Sequence, residues 1–439
     1  MTGPGGGRAD TTRKDPAVQP DQSPTPRPES RHSPAAACPH AAVHREERPG
    51  GLVTWQISAF SEARAALGDS RFSKDPRRLG EALRAGGRSM FAEYGDNLLD
   101  NLLNSDPPDH TRLRRLVGKA FSPATIERLG PTTQRLADEL VASMLPAGRA
   151  DLLAQFAYPF AFGVIARVLG LPPDSYRIFQ RWTESMTAPR EQGTDRMVAA
   201  RHLCEHVTEL VRRSREWLAS APAETLLDEL VSARDDGDRL SENELVATVL
   251  LLIIAGHETT VNLIGNGVHA LLQHPGQLAL LRDHPDLIDG AVEELLRFQP
   301  PISKTTLRVT TTDVEVAGTE IPAGSIVNVL VPAANRDQRQ FPDADRLDIT
   351  RPPSAHMSFG HGIHYCIGAP LARMEGRIAI GALLRGLPGL RLAEPAAEIP
   401  WRASNILRGL QRLPVRFDSA GADDEVRDRR HAGAARVHA

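Results

Sequence analysis

The sequence is poor in cysteine, in net charge and in long apolar runs. Its 439 residues include 3 cysteines, far apart, which exclude a disulfide framework and are typical of a reducing compartment. The formal net charge of -3, without a basic block, gives no reason to propose nucleic acid as a partner. The longest apolar run, from Leu245 to Gly256, is shorter than the roughly 18 to 20 residues that span a bilayer. We therefore expect no membrane span.

The N-terminus lacks the apolar segment of a secretory signal, which favours a cytoplasmic location. Residues 1–49 are rich in Pro, Gly, Ser and Arg and poor in large apolar residues, so we predict a disordered tail there. Residues 419–439 have the same character and the same prediction. Between the tails no linker or internal repeat interrupts the chain, and we predict one large domain over residues 50–418.

Helical patterns dominate that domain. The segments ATIERLGPTTQRLADELVASML and MVAARHLCEHVTELVRRSREWLA carry apolar residues at the three-and-four spacing of amphipathic helices. Strand patterns cluster between Leu307 and Val331, where the pairs Ala317-Gly318 and Ala323-Gly324 indicate turns of small antiparallel hairpins. The sequence therefore predicts a mostly α fold with small β-sheets.

The longest predicted helix begins after Ser241 and stops at Pro275. Ser241 and Glu244 have the spacing of a capping box, and proline ends a helix. Such a helix is about 45 Å long and crosses a whole domain. Because its first half is apolar nearly all round, we expect it to be buried at the centre of the fold.

The stretch AGHETT places polar side chains in the middle of this buried helix. Burying Glu258 without partners costs several kcal/mol, so the stretch needs a reason. One reason is a bend, because threonine hydroxyls bond the carbonyl four residues back. Another is a ligand: Ala255, Gly256 and Thr259 share one face, where small residues admit a flat molecule and Thr259 offers it a hydroxyl.

Cys366 lies in a glycine-rich loop, FGHGIHYCIG, that leads into a helix-forming segment. A thiolate just before a helix N-terminus is stabilised by free backbone N–H groups and by the helix dipole. The glycines permit turns and close backbone approach. We therefore expect Cys366 to be an anion.

Three other interpretations of Cys366 are an inert thiol, a zinc ligand and the attachment site of a covalent haem. An isolated cysteine is commonly an inert buried thiol. Zinc needs further Cys or His ligands, which are absent at the usual spacings. A covalently attached haem needs Cys-x-x-Cys-His, which is also absent. A single thiolate on a haem iron fits the chemistry best.

The loop FGHGIHYCIG resembles the haem-ligand signature of the cytochrome P450 family, Phe-Gly-x-Gly-x-His/Arg-x-Cys-x-Gly. Three further stretches follow the family's order: AGHETT resembles its oxygen-activating segment, EELLR contains Glu294-x-x-Arg297, and FPDADRLD resembles the meander that supplies Arg346. The resemblance extends from about Thr54 to Phe417. It implies the cytochrome P450 fold, a single large domain with a long central helix over a buried haem.

The resemblance also implies a site around haem b. It makes Cys366 the axial metal ligand and puts Phe359 against the sulfur, with Ala255 and Gly256 beside the haem. Glu258 and Thr259 become the proton-delivering catalytic pair. The haem propionates meet four residues, which are His110, Arg114, Arg308 and His364. Glu294, Arg297 and Arg346 become a structural ion network.

The implied function is a haem-thiolate monooxygenase that activates dioxygen and hydroxylates or epoxidises a bulky apolar natural product. The resemblance is closest to soluble bacterial members that act on macrolides and related polyketides. Because no flavin or nucleotide motif occurs, electrons are expected from a ferredoxin and its reductase. A basic docking surface is predicted from Arg115, Lys119, Arg373 and Arg377. A haem-thiolate peroxygenase or isomerase, and a haem-binding sensor without turnover, remain open alternatives.

The resemblance further predicts which segments line the substrate pocket. These are residues 79–103, 172–194, 251–256, 302–306 and 404–407. They are mostly aliphatic and small, which suits a macrolactone or a polycycle and does not select one.

Overall fold

Helices make up most of the fold. The computed structural model describes residues 41–47, 51–85, 99–171, 179, 196–235, 238–353 and 355–419. Within these residues the helices are α1 (Phe60–Gly68), α2 (Pro76–Ala85), α3 (Asp109–Ala120), α4 (Pro123–Met144), α5 (Tyr158–Leu169), α6 (Arg196–Leu218), α7 (Leu226–Ser232), α8 (Glu242–Gln273), α9 (Pro275–Asp283), α10 (Ile288–Phe298), α11 (Val331–Ala334) and α12 (Ala369–Gly386).

The strands are short and form small sheets. They are β1 (Val43–Glu47), β2 (Val53–Ile57), β3 (Phe72–Ser73), β4 (Arg149–Asp151), β5 (Arg234–Asp235), β6 (Asp238–Arg239), β7 (Arg308–Thr310), β8 (Val314–Val316), β9 (Thr319–Ile321), β10 (Ile326–Val329), β11 (Arg391–Leu392) and β12 (Pro414–Arg416). The largest sheet has the order β1-β2-β10-β7-β3, and a second has the order β11-β12-β4. Hairpins β5-β6 and β8-β9 stand apart from them. The mostly α class with small sheets is confirmed.

The central helix α8 has the predicted bounds. Ser241 Oγ accepts the N–H of Glu244, and a Glu244 carboxylate oxygen accepts the N–H of Ser241, so the capping box is formed. The helix ends at Gln273, two residues before Pro275. It packs against α5, α6, α10 and α12, which places its apolar side chains in the main core.

By length and composition α8 could cross a membrane. However, 72% of its most apolar window is buried inside the protein, as in the core helix of a globular fold. Within the described part of the chain no other helix meets the same test.

The N-terminal boundary of the domain differs from the prediction. Strand β1 lies inside residues 1–49, the segment predicted to be a disordered tail, and pairs antiparallel with β2 from Val43↔Ile57 to Glu47↔Val53. Val43 is buried in this sheet, and this apolar contact lies in a segment whose average composition is tail-like. Residues 1–40 and 420–439 lie outside the described residues, so their disorder stays a prediction.

One of the two predicted hairpins is formed. Ala317 and Gly318, both with positive φ, make the turn between β8 and β9. The Ala323-Gly324 turn instead leads from β9 into β10, which pairs with β2 and β7. The turn signal is correct there, but β10 pairs with β7 and with the distant β2 and not with β9.

Candidate active site

The loop that carries Cys366 is folded by its own backbone. Cys366 N–H donates to the Phe359 carbonyl at 2.9 Å, and Tyr365 N–H donates to the Gly362 carbonyl at 3.0 Å. Gly362 has a φ of 73°, and a Cβ there would come within 2.6 Å of the Leu67 carbonyl oxygen. Glycine is therefore required for the loop to pack on the end of α1.

The sulfur of Cys366 lies at the start of α12. Burial raises the pKa of the Cys366 thiol, and this effect exceeds the lowering by the N–H groups of Gly368 and Ala369 and by the nearby Arg114 and Arg373. Burial and the helix terminus therefore act on the Cys366 thiol in opposite directions. Cys366 is nevertheless solvent-accessible. A thiol with these properties becomes a thiolate when a metal cation binds it.

Two threonines of α8 bond back to their own helix. Thr259 Oγ1 donates to the Ala255 carbonyl at 2.7 Å, and Thr260 Oγ1 lies 3.2 Å from the Gly256 carbonyl. Thr260 also donates to the Glu375 carboxylate of α12 at 2.9 Å. These are the hydrogen bonds expected if the threonines bend the helix. The lone pairs of the Thr259 hydroxyl remain available to accept a proton or a hydrogen bond.

Small residues interrupt the buried surface of α8. Ala255 is exposed, and Gly256 and Thr259 are half-buried, although the helix is otherwise mostly enclosed. The missing side chain of Gly256 faces α5, where a Cβ would meet Ile165 Cδ1 at 3.2 Å. The structure therefore gives Gly256 a role in helix packing and leaves Ala255 and Thr259 as the accessible face.

Glu258 is fully buried and ion-paired. Arg402 Nη1 lies 2.7 Å from Glu258 Oε2, and the Arg402 guanidinium lies over the Tyr158 ring, 5.7 Å from its centroid. His257 Nε2 lies 3.6 Å from Glu258 Oε1, but burial lowers the pKa of His257 to about 4 and keeps it neutral. The local sequence pattern does not predict Arg402 as a partner of Glu258, because the two residues are 144 positions apart.

The four residues expected at the propionates form one cluster. The rings of His110 and His364 are 4.3 Å apart, and Arg114 lies one turn after His110 on α3. Burial lowers the pKa of His364 far below its usual value, and the cations Arg308, Lys74, His110 and Arg114 lower it further. The sequence pattern did not identify Lys74, which follows β3. The structure therefore brings these residues together.

Several polar atoms of this cluster are buried without a partner among the described residues. They are Nε2 of His110, Nη1 of Arg114, and both ring nitrogens of His364. Buried donors in native proteins are nearly always hydrogen-bonded. The cluster therefore has the composition of a binding site for an anion.

Comparisons with known proteins agree with this geometry. The family model of cytochrome P450 matches residues 173–387. Vitamin D(3) 25-hydroxylase of Pseudonocardia autotrophica is 44% identical over 375 residues, covering 85% of this chain and 90% of that protein. 6-deoxyerythronolide B hydroxylase of Saccharopolyspora erythraea is 40% identical over 373 residues, covering 84% and 91%. The structure of the tirandamycin C-bound P450 monooxygenase TamI has a TM-score of 0.80 at 40% identity, covering 88% and 97%.

The chain belongs to the cytochrome P450 family. It is a monooxygenase that uses haem b with a cysteine thiolate as axial ligand, and it receives electrons from redox partners.

The residues of this P450 fit haem b. The two carboxylates of haem match the unpartnered donors of His110, Arg114 and His364. Cys366 would bind the iron, whose positive charge would favour the thiolate, and the exposed Ala255 would leave room for a flat ring beside α8.

The ion network of this P450 has a different third member from the one predicted. Glu294 and Arg297 form a buried pair, and the third cation is Arg351, whose Nε lies 3.2 Å from Glu294. The side chain of Arg346 is 66% exposed and reaches Asp348 at 4.0 Å. Arg346 contributes only its carbonyl, which accepts from Arg297 at 3.1 Å. The assignment of the Arg346 side chain was wrong because the meander turns it into solvent.

Two of the predicted pocket segments meet in the structure. Ile302 and Leu407 form an isolated β-bridge, and Ser303 N–H donates to the Ile406 carbonyl at 2.7 Å. Ile406 is exposed, and segment 251–256 on α8 includes the exposed Ala255. Large parts of the predicted segments 79–103 and 172–194 lie outside the described residues.

The predicted docking surface is partly neutralised. Arg373 pairs with Glu293 at 2.7 Å, and Arg377 pairs with Asp289 at 2.8 Å. Arg115 and Lys119 are exposed one turn apart on α3. The surface therefore mixes both signs of charge.

Proposed function

We propose that this P450 hydroxylates or epoxidises a bulky apolar natural product of the polyketide or macrolide class. The observation that carries the proposal is the 40% identity, over more than four fifths of the chain, with 6-deoxyerythronolide B hydroxylase. The tirandamycin C-bound relative supports the same class. The aliphatic segments around Ile302 and Leu407 suit such a skeleton, because apolar pockets bind by burying ligand surface.

Cys366 is the proposed axial ligand of the haem. His110, Arg114, Arg308 and His364 are proposed to hold its carboxylates, and Phe359 and Ala255 to lie beside the ring. When bound, haem b supplies the reductive activation of dioxygen and the transfer of one oxygen atom to the substrate. The chain supplies the ligand, the orientation and a path for protons.

Thr259 and Glu258 are the proposed proton-delivering pair. Support comes from the accessible face that carries Thr259 and from the buried carboxylate one residue before it. The 2.7 Å contact with Arg402 fixes the position of the Glu258 carboxylate next to Thr259 in the chain. Thr259 Oγ1 holds its own proton toward the Ala255 carbonyl and presents its lone pairs to the site.

A ferredoxin and its reductase are the proposed electron donors, and the cytoplasm is the proposed location. Arg115 and Lys119 are exposed on α3, the helix that also carries Arg114 beside the Cys366 sulfur. An acidic ferredoxin would meet positive charge near the haem there.

Ligand-induced spectral titration tests the substrate class. Purified holoenzyme is titrated with macrolactones, other polyketides and terpenoids, and the haem absorption is followed. We expect a shift toward the high-spin spectrum with macrolactones at micromolar concentration. A shift with terpenoids alone would overturn the polyketide assignment.

Turnover with the ligand found is then measured under three conditions. They are a ferredoxin with its reductase, hydrogen peroxide, and no oxidant or reductant. Product under the first condition alone is expected for the monooxygenase with separate redox partners. Equal or better turnover with peroxide would favour a peroxygenase, and product with neither would favour an isomerase.

Cys366→Ser tests the ligand assignment. The substitution removes the thiolate, so the red-shifted absorption band of the reduced carbon-monoxide complex should disappear. Cys204→Ser is the matched control, because Cys204 is half-buried on α6 and burial raises the pKa of its thiol. A band that survived in Cys366→Ser would contradict the assignment.

Thr259→Ala tests proton delivery, with Thr259→Ser as the control that keeps the hydroxyl. We expect Thr259→Ala to bind haem and substrate normally while reduced nicotinamide is diverted to hydrogen peroxide, because the missing group acts only during the reaction. The ratio of product formed to nicotinamide consumed measures this effect. The same ratio in Thr259→Ala and wild type would leave Thr259 as a residue that bends the helix.

A further inference from the structure

Lys74 directly follows strand β3, and Arg308 is the first residue of the neighbouring strand β7. Strands β3 and β7 pair antiparallel with Phe72 opposite Thr310 and Ser73 opposite Val309. The same register continued by one residue puts Lys74 opposite Arg308. Side chains of directly opposite residues lie on one face of a sheet, with Cβ atoms about 4.5–5.5 Å apart.

Both cations are buried. Lys74 is 3% exposed and Arg308 is 7% exposed. Like charges directly opposite each other on a sheet are destabilising, and burial makes their repulsion larger. This arrangement therefore needs an anion nearby.

The described residues supply only part of the negative charge that Lys74 and Arg308 require. Lys74 Nζ donates to two neutral acceptors, Thr306 Oγ1 at 2.7 Å and the Leu307 carbonyl at 3.1 Å. Among the described residues no carboxylate lies within 4.0 Å of Nζ. Asp106 is the nearby acid, but its oxygens accept from the backbone N–H of Lys74 at 2.9 Å and from the Ser73 hydroxyl.

We propose that Lys74 is a further binding residue for the carboxylates of haem b, beside Arg308. The inference rests on the proposed role of His110, Arg114, Arg308 and His364 at those carboxylates. When protonated, Lys74 is a third cation beside the guanidiniums of Arg114 and Arg308. Two carboxylates together with Asp106 then balance the three cations.

The pH dependence of haem retention follows from the same geometry. Burial lowers the pKa of Lys74 to about 7, Arg308 lowers it too, and Asp106 raises it. Arg114 from α3 adds positive charge to the same cluster, while burial lowers the pKa of His364 and of His110 and favours their neutral forms. Bound carboxylates raise the pKa of Lys74, so haem binding is strongest below about pH 7 and weakens as pH rises.

The test measures haem transfer from the holoenzyme to excess apomyoglobin between about pH 6 and pH 9. Lys74→Met should release haem about tenfold faster than wild type at pH 6, the size of one lost charge-assisted contact. Lys74→Arg keeps a charge that does not titrate, so its release rate should rise less between pH 7 and pH 9. Arg77→Met, at an exposed position three residues away, should release haem like wild type.

Reference variants separate the possible failures. If Arg308→Met speeds haem release and Lys74→Met does not, Lys74 is not a haem-binding residue. If neither variant changes the rate, the proposed carboxylate site itself is wrong. Denaturant unfolding of the same holoenzymes shows whether Lys74→Met acts through the fold. A loss of chain stability as large as in Arg297→Met, with proportionate haem loss, would make Lys74 structural and overturn the proposal.

Discussion

Two regions of this P450 bury positive charge, and they differ in how many of the buried donors have a hydrogen-bond partner. Arg297 uses all five of its N–H donors within the chain: two go to Glu294 at 2.7 and 2.8 Å, and three go to the carbonyls of Asn335, Ala344 and Arg346. Among the residues that the structure describes, the cluster around Arg308 leaves buried ring or guanidinium nitrogens of Arg114 and His364 without partners.

The difference distinguishes structural charge from binding charge. A buried ion is tolerated only when hydrogen bonds replace the water that it lost. At Arg297 the protein supplies every replacement, so the pair holds α10 to the meander. At the Arg308 cluster the replacements are incomplete, which indicates that a ligand supplies the rest.

Arg297→Met should have the largest effect on stability. It leaves the buried Glu294 carboxylate with only Arg351 and removes the donors of three carbonyls, which costs about 3–5 kcal/mol. Denaturant unfolding followed by far-UV circular dichroism measures the loss. Arg282→Met on α9, at an exposed position, serves as the control. A loss below about 1 kcal/mol would show that the network is not structural.

Arg308→Met should affect haem release more than chain stability. Burial already disfavours this cation and lowers its pKa to about 10. Among the described residues its guanidinium donates to the Phe72 carbonyl at 3.1 Å. Chain stability should fall by about 1 kcal/mol or less, whereas haem release to apomyoglobin should quicken by about tenfold or more. Comparable losses of stability in Arg308→Met and Arg297→Met would remove the distinction between the two regions.

The sequence was sufficient for the elements whose signals are local. The capping box of Ser241 and Glu244 and the stop at Pro275 set the bounds of α8 correctly, because both act within one helical turn. The cysteine loop was also found, since its glycines and Cys366 follow one another in the chain.

The sequence failed where partners lie far apart in the chain. Arg402 pairs with Glu258 across 144 residues, and Lys74 meets Thr306 across 232 residues. No periodicity connects such positions. The helix dipole at Cys366 was correctly located, but its effect on the thiol depends on burial, which a local pattern does not measure.

The smallest effect on stability is expected at Arg346, the arginine predicted from the sequence to belong to the ion network. The Arg346 side chain is 66% exposed and reaches Asp348 only at 4.0 Å, so Arg346→Ala should change the free energy of unfolding by less than about 0.5 kcal/mol. Its carbonyl bond with Arg297 survives the substitution.

Arg351 is the matched comparison for Arg346, because it lies shortly after Arg346 in the chain and, of the two, only Arg351 reaches Glu294, at 3.2 Å with 13% of its side chain exposed. Arg351→Ala should cost about 1–3 kcal/mol, since Glu294 loses one of its two cations and keeps Arg297. Denaturant unfolding of the two variants side by side decides between them. If Arg346→Ala lost more stability than Arg351→Ala, the third cation of the network would be Arg346, as the sequence predicted, and the contact at Arg351 would carry little energy.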